Sequence, residues 1–331
     1  MRASGPLPVS AVVLAHDRRH AVDLVVRRLR SLGIDDVLVV DSGSSDGTAQ
    51  MLAETHPWVT VVDPGGNVGA SGRNLGVEQA RHEHVLMLDD DAYPRPGAAE
   101  ALLETFRLVP TAAVVGGLVR DVEEPPEGSD IAPDPDVVRY EGPGTFDWWL
   151  RRGRTHPVGP EGVPAFFFPE GCCMVRRTPF LEAGGFYAPY FFATSEIDLT
   201  TRLVARGFEV RYQPGAAFDH MKVRAGRVAS SAVLRYRVRN QVWYFHRHFP
   251  RALAARRIAA YLLFDLVQAG YEGALRHWWT GVREAWTLRH TVAADVAPLP
   301  REVLRRAEMD RGRLHLRLLA VQLRKKALPR A

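Results

Sequence analysis

Four apolar residues, Val85-Leu86-Met87-Leu88, run without a break into three acids, Asp89-Asp90-Asp91, and then Ala92. A run that is apolar at every position suits a strand buried on both faces, as in a parallel sheet covered by helices. The acids then stand where the strand leaves the sheet, the edge at which open α/β sheets place their ligands. Three adjacent carboxylates repel one another unless positive charge sits among them. A hard divalent cation with oxygen ligands, magnesium or manganese, meets that need. Two carboxylates spaced i, i+2 can reach one ion, whose far side can carry a phosphate. The plainer reading is a solvated acidic turn.

The residues before this stretch set its surroundings. Residues 9–15 read as a first strand. Residues 19–32 place Ala21, Leu24, Val25, Leu29 and Leu32 at helical spacing, and Gly33 stops the helix. Residues 37–40 form a second buried strand, which ends in Asp41 and a polar turn with glycines. A helix over 48–55 and a third strand over 58–62 come next. Strands and helices alternating at this pace mean βαβ units with right-handed crossovers. The next turn carries Gly65, Gly66, Gly69 and Gly72, which let the backbone approach a ligand. It opens a helix to about residue 80 with Arg73 beside its N-terminus, an arrangement suited to an anion. The pattern is not a P-loop. No G-x-G-x-x-G stands between the first strand and first helix, which argues against a dinucleotide dehydrogenase.

In order, VSAVVLAHDR, VLVVDSGSSDGT, GGNVGASGRNLG and VLMLDDDAYP resemble the motifs of family 2 glycosyltransferases with the GT-A fold. The resemblance implies an α/β fold with a mostly parallel central sheet flanked by helices. It divides the chain into a catalytic domain over 1–228 and a helical C-terminal extension over 229–331. The nucleotide half is about 1–118 and the acceptor half about 119–228. The implied reaction moves a sugar from a UDP-, dTDP- or GDP-linked donor to an acceptor hydroxyl, with inversion. Ala15, His16, Asp17, Asp41, Ser42, Asn67 and Arg73 would line the nucleotide diphosphate. Asp90 is a lesser candidate, touching the sugar or turned away. Asp89 and Asp91 would hold the metal, with Arg73 helping to neutralise the leaving group.

The second half supplies the acceptor side. Residues 121–162 are rich in Pro, Gly and acids and hold Trp148 and Trp149. A loop of that length is usually functional, and the tryptophans suit either sugar stacking or a staple that pins it. Residues 171–175 read as a strand. Ser195 and Glu196 stand where the family resembles an E-D pair, and Asp198 matches its later acid. The expectation is Glu196 as general base and Asp198 as its structural or acceptor-binding neighbour, with the reverse open. A base must come within ~3 Å of the acceptor hydroxyl. The plainer role for both acids is to stabilise a helix N-terminus by ~0.3–1 kcal/mol. Residues 207–212 read as a last strand, with His220 after it. The resemblance implies that His220 completes the metal site, and the mixed donor set suits Mg2+ or Mn2+.

Charge divides the chain. Residues 224–331 carry 22 Lys+Arg against 7 Asp+Glu, or +15, so the net +5 leaves −10 on residues 1–223. A basic tail on an acidic body suits an anionic partner. Arg with Trp and Tyr on amphipathic helices over 230–290 fits a membrane interface, or a helical pair packed on the catalytic domain. Residues 301–331 alternate Leu and Arg and suit a second surface helix or an oligomer contact. A nucleic-acid partner would leave the carboxylates unexplained. Two adjacent cysteines, Cys172 and Cys173, form no disulfide scaffold or zinc motif. With no signal peptide and no apolar run of ~18 residues, the expected location is cytoplasmic, peripheral on the inner membrane face. The resemblance leans toward bacterial polysaccharide or glycolipid assembly, including rhamnose-type donors. Natural-product tailoring and nucleotidyl transfer to a sugar phosphate are the alternatives. The latter usually needs a glycine-rich basic signature where this chain has His16-Asp17-Arg18.

Overall fold

The computed structural model describes residues 7–133, 135, 137–140, 158–222, 230–292 and 299–305. Its elements alternate as the apolar periodicity requires. They are β1 (Val9–Ala15), α1 (Arg19–Ser31), β2 (Asp36–Asp41), α2 (Thr48–Thr55), β3 (Thr60–Val62), α3 (Gly72–Gln79) and β4 (His84–Asp89). Then come β5 (Ala92–Pro94), α4 (Ala98–Leu108), β6 (Ala112–Glu123), β7 (Val137–Tyr140), β8 (Val163–Ala165), β9 (Cys172–Arg176) and α5 (Arg177–Glu182). The chain continues through α6 (Ser195–Ala205), β10 (Glu209–Lys222), α7 (Ser230–His248), α8 (Arg251–Glu272) and α9 (Leu275–Thr287).

One sheet runs in the order β3-β2-β1-β4-β9-β6-β10-β5, with β7 on β6 and β8 on β10. The first four strands are parallel. β9 enters antiparallel between β4 and β6, while β6 and β10 are parallel to each other. The expected mostly parallel sheet therefore describes β3-β2-β1-β4, and the sheet as a whole is mixed. Side chains alternate between its faces. Val9, Ala11, Val13 and Ala15 pack with α1 and with Leu102 and Phe106 of α4. Val12 packs on the other face with Val77 of α3, Phe180 of α5 and Leu199 and Leu203 of α6. The register sets Ala15 beside Asp41 and Leu14 beside Asp89, so three strand ends open on one edge.

Two boundaries depart from the sequence reading. The third strand begins at Thr60, because Val59 donates its N–H to His56 in a turn. β10 is one strand of 14 residues containing His220, rather than a strand over 207–212 with His220 beyond it. Pro214-Gly215 stands within β10 and does not end it. Instead the register slips between Gln213 and Ala217 and pairing with β6 resumes, a bulge that re-aims the second half of the strand. Trp148, Trp149 and residues 306–331 lie outside the described residues, and so does the expected boundary at 228/229.

α7 is locked to α6 and to the loop before it through polar contacts. Asp198, in the first turn of α6, is fully buried. Its carboxylate accepts hydrogen bonds from Arg247 and His248 of α7 at 2.7 Å each, Arg202 Nε at 2.8 Å and the Tyr190 hydroxyl at 3.1 Å. The buried Asn240 amide of α7 donates to the carbonyls of Tyr190, Phe192 and Ala193 at 2.9, 2.7 and 2.9 Å. An apolar cluster of Tyr190, Trp243, Tyr244, Phe245 and Phe249 surrounds these bonds. Burial opposes ionisation of Asp198, but the arginines, led by Arg202, and His248 outweigh it and hold the carboxyl far below its usual range. Its contribution to stability is therefore complete above its unfolded pKa of about 3.9 and is lost as pH falls through the folded value. Asp198→Asn leaves Arg202 and Arg247 buried against a neutral amide. We expect a loss of about 3–5 kcal/mol, read as a lower denaturant midpoint at neutral pH. Stability of the variant should also vary less between about pH 4 and lower values than that of the native chain.

Candidate active site

Asp89 is the last residue of β4, and its carboxylate is half exposed. Its partner is Arg73, which enters from the start of α3 and is itself buried. Gly171 lets the β9 approach pass close by, because a Cβ there would lie 2.2 Å from the Asp89 carboxylate. Arg73 also stands 3.9 Å from Glu170. Glu170 accepts the backbone N–H of Glu196 and hydrogen-bonds its carboxyl. The contacts thus run from Asp89 through Arg73 and Glu170 to Glu196. Burial raises the Glu170 carboxyl above the usual range, against the pull of Arg73. Its Oε1 is buried with no hydrogen-bond partner among the described residues.

Asp90 and Asp91 point elsewhere. Arg18, just past β1, binds Asp90 at 3.0 Å and also pairs with Asp91. The His16 N–H donates to Asp90 at 3.1 Å. Burial pushes Asp90 up to about 7 despite Arg18. His220, carried in by the bulged β10, places Nε2 3.3 Å from Asp91 and Nδ1 2.9 Å from Asp121. Burial would lower this imidazole, but its bonds to Asp91 and Asp121 raise it to about 9. The same bonds, with Arg18, keep Asp91 low against its own burial. Positive charge does sit among the three acids, as Arg18, Arg73 and His220.

The remaining expected residues line the ends of β1 and β2. His16 Nδ1 meets the Ser42 carbonyl at 3.0 Å, and the Ser42 N–H reaches Ala15 at 2.9 Å. Asp41 accepts the Ser44 N–H at 2.9 Å, inside its own turn. Asp17 is exposed at positive φ and accepts the Ser45 N–H at 2.6 Å. Ser42 Oγ is buried without a partner among the described residues. Exposed Asn67 closes its turn on the Gly69 N–H at 3.1 Å. Gly69 in turn abuts the loop before α6: a Cβ on it would lie 2.0 Å from the Phe191 carbonyl, which accepts the Ala70 N–H at 2.8 Å. That loop holds Phe191, Ala193 and Thr194 at φ of 60°, 62° and 72°, a strained path for residues with side chains. The Asn240 amide supports it from α7. Glu196 lies just beyond, half-buried, whereas both oxygens of Asp198 are consumed by the bonds to α6 and α7.

Sequence reasoning missed Arg18, Glu170, Asn74 and Asn240. Asn74 exchanges hydrogen bonds with the Phe186 backbone at 2.9 and 2.8 Å, which fixes α3 to the turn after α5. Arg18 had a local signal: it is the cation next to His16 and Asp17. The others are visible only once distant segments meet.

Asp91 and His220 are a carboxylate and an imidazole, donor types that Mg2+ or Mn2+ accept once the imidazole is neutral. Two ligands side by side on an octahedral Mg2+ or Mn2+ are roughly 3 Å apart, and His220 and Asp91 meet at 3.3 Å. Asp89, turned to Arg73, does not join them: among the described residues no three His, Cys, Asp or Glu side chains converge closely enough to hold an ion. Further ligands would have to come from substrate oxygens.

Known proteins share this architecture. The model of glycosyl transferase family 2 matches residues 10–184. The N-acetylglucosaminyl-diphospho-decaprenol L-rhamnosyltransferase of Mycobacterium tuberculosis is 28% identical over 269 residues, 73% of this chain and 85% of that one. The pre-mycofactocin glycosyltransferase of the same species is 29% identical over 222 residues, 66% of this chain and 44% of that one. Among solved structures, GalNAc-T7 with UDP, GalNAc and Mn2+ superimposes with a TM-score of 0.60 at 15% identity, covering 80% of this chain and 52% of that one. The mannosyltransferase PcManGT from Pyrobaculum calidifontis, with GDP-Man and Mn2+, gives 0.54 at 17% identity, covering 97% and 87%. The fold is GT-A, and the protein is an enzyme, a glycosyltransferase that belongs to glycosyl transferase family 2.

Proposed function

We propose that this chain is an inverting, metal-dependent glycosyltransferase acting on a nucleoside-diphosphate sugar and the hydroxyl of a lipid-linked glycan. The unbroken line of contacts Asp89–Arg73–Glu170–Glu196 carries the reading, because it joins a site for the leaving diphosphate to a candidate base. The donor's base and ribose lie against the ends of β1 and β2, near Ala15, Asp41 and the Ser42 hydroxyl, which has no hydrogen-bond partner among the described residues. Its diphosphate lies toward Arg73 and the α3 N-terminus. A divalent ion held by Asp91 and His220 would act as a Lewis acid on the departing diphosphate.

Glu196 takes the acceptor's hydroxyl proton as its oxygen attacks the anomeric carbon, and the carbon–diphosphate bond breaks on the opposite face. Glu170 accepts the Glu196 N–H and bonds its carboxyl, which positions Glu196 at the start of α6. Asp198 holds α6 in place through α7. Phe192, exposed beside this base and near Tyr236 at 6.2 Å, offers an apolar face to an acceptor ring. The lipid-linked acceptor is argued from the rhamnosyltransferase, whose name carries a diphospho-decaprenol substrate. Cell-wall polysaccharide or glycolipid synthesis at the inner face of a membrane is the corresponding setting.

Glu196→Gln should lower kcat by about 10²–10⁴-fold with nucleoside diphosphate binding unchanged by calorimetry. A loss of that size in a folded Asp198→Asn variant, with Glu196→Gln near native, would move the base to Asp198. Chelation should stop transfer from UDP-, dTDP- or GDP-linked donors, and Mn2+ or Mg2+ should restore it. Asp91→Ala should fail to respond to either ion. Full turnover in chelator would remove the metal from the mechanism.

A further inference from the structure

Seven of the ten large apolar side chains exposed among the described residues lie between positions 263 and 288. On α8 they are Leu263, Val267 and Tyr271, spaced four apart, so they form one stripe. On α9, beyond the Gly273 turn, Leu275, Trp279 and Trp286 repeat the pattern at intervals of four and seven. Leu263, Tyr271, Trp279 and Trp286 are each 60–70% exposed. Trp278 is different: its Nε1 bonds the Leu262 carbonyl at 3.1 Å and it belongs to the packing between the helices. These helices are not loosely attached. Gly281 lets α9 sit so close to α7 that a Cβ would lie 2.6 Å from the Arg235 carbonyl.

The charge around the stripes is predominantly positive. Arg251, Arg256, Arg276, Arg283 and Arg289 are exposed on residues 251–292. Of the three acids there, Asp265 is buried against Arg237 and Glu284 is paired with Arg235, which leaves Glu272 alone exposed. Among the described residues no helix is long and apolar enough to cross a membrane. Tryptophan and tyrosine with arginine around an apolar stripe match the headgroup boundary of a bilayer, where rings are half immersed and guanidinium groups meet phosphates.

We propose that the exposed faces of α8 and α9 dock the enzyme on an anionic phospholipid surface. This docking rests on the membrane setting of the proposed function for its biological sense, not for its test. Charge decides against two other occupants. Residues 306–331 carry 8 Lys+Arg and 2 Asp+Glu, so this basic segment would be repelled by the arginines. A second copy would bring the same arginines face to face.

The test uses the full chain and vesicles without donor or acceptor, so it stands or falls apart from the catalytic assignment. Wild type should co-sediment with vesicles of phosphatidylcholine and phosphatidylglycerol in equal parts, with a blue shift of tryptophan emission, and far less with phosphatidylcholine alone. Leu263→Ser/Trp279→Ser/Trp286→Ser should weaken that binding roughly tenfold or more. Arg256→Gln/Arg276→Gln/Arg283→Gln should weaken it roughly fivefold per arginine. Both should keep the native melting midpoint, since all six side chains are exposed. Undiminished binding in both variants would assign the membrane contact to another segment. A dimer in light scattering that the serine variant abolishes would assign the face to a second copy. Either result overturns the proposal.

Discussion

Everything at this site depends on how three consecutive carboxylates at the end of a buried strand are kept from repelling one another. Each has a different answer. Asp89 is tied to an arginine from α3, Asp90 to one from the β1–α1 turn, and Asp91 to that same arginine and to a histidine from β10. The side chains that neutralise the acids come from three separate segments, so the charges draw those segments to one edge of the sheet. Without a counter-charge, burying Asp90 and Asp91 would cost several kcal/mol apiece. The acidic run that suggests a metal is also what organises the protein around it.

Placement of Glu196, the proposed base, is set from the opposite end of the chain. The loop before α6 takes three residues with side chains through positive φ, and nothing local in Phe191, Ala193 or Thr194 favours that. Its carbonyls are held instead by Asn240, and the helix it launches is held by Arg247 and His248. The basic C-terminal region therefore has two faces with different work. α7 turns buried polar groups toward the catalytic layer, while α8 and α9 turn arginine and tryptophan outward.

This division explains what was legible in the sequence. The first part of the chain could be read because its signals are local: apolar runs, glycine turns and acids near the strand ends. The edge residues Ala15, Asp41 and Asp89 fell where those runs stopped. The part after β6 resisted for the same reason. β10 hides a bulge behind Pro214-Gly215, the sheet turns antiparallel where β9 inserts, and Asn240 reads as one more polar residue on a helix. Glu170 comes after Pro169 in what looks like a connector. Its meaning appears only when α6 arrives beside it. Tail composition did announce arginine and tryptophan, but not which helix would turn them inside.

Glu170 also bears on the residue at position 196. A glutamate reaches about one methylene further than the aspartate that the family pattern leads one to expect there. A longer side chain has more rotamers to lose and is harder to aim. Glu170 counters both effects, because it takes the Glu196 N–H at the helix start and meets its carboxyl at the tip. The carboxyl is thereby fixed at two points along its length. The cost is a second buried acid: burial raises the Glu170 carboxyl, and Arg73 at 3.9 Å opposes that shift. The longer side chain proposed as the base and the extra acid beside it thus belong together: without Glu170 the Glu196 carboxyl would lose the contact that aims it.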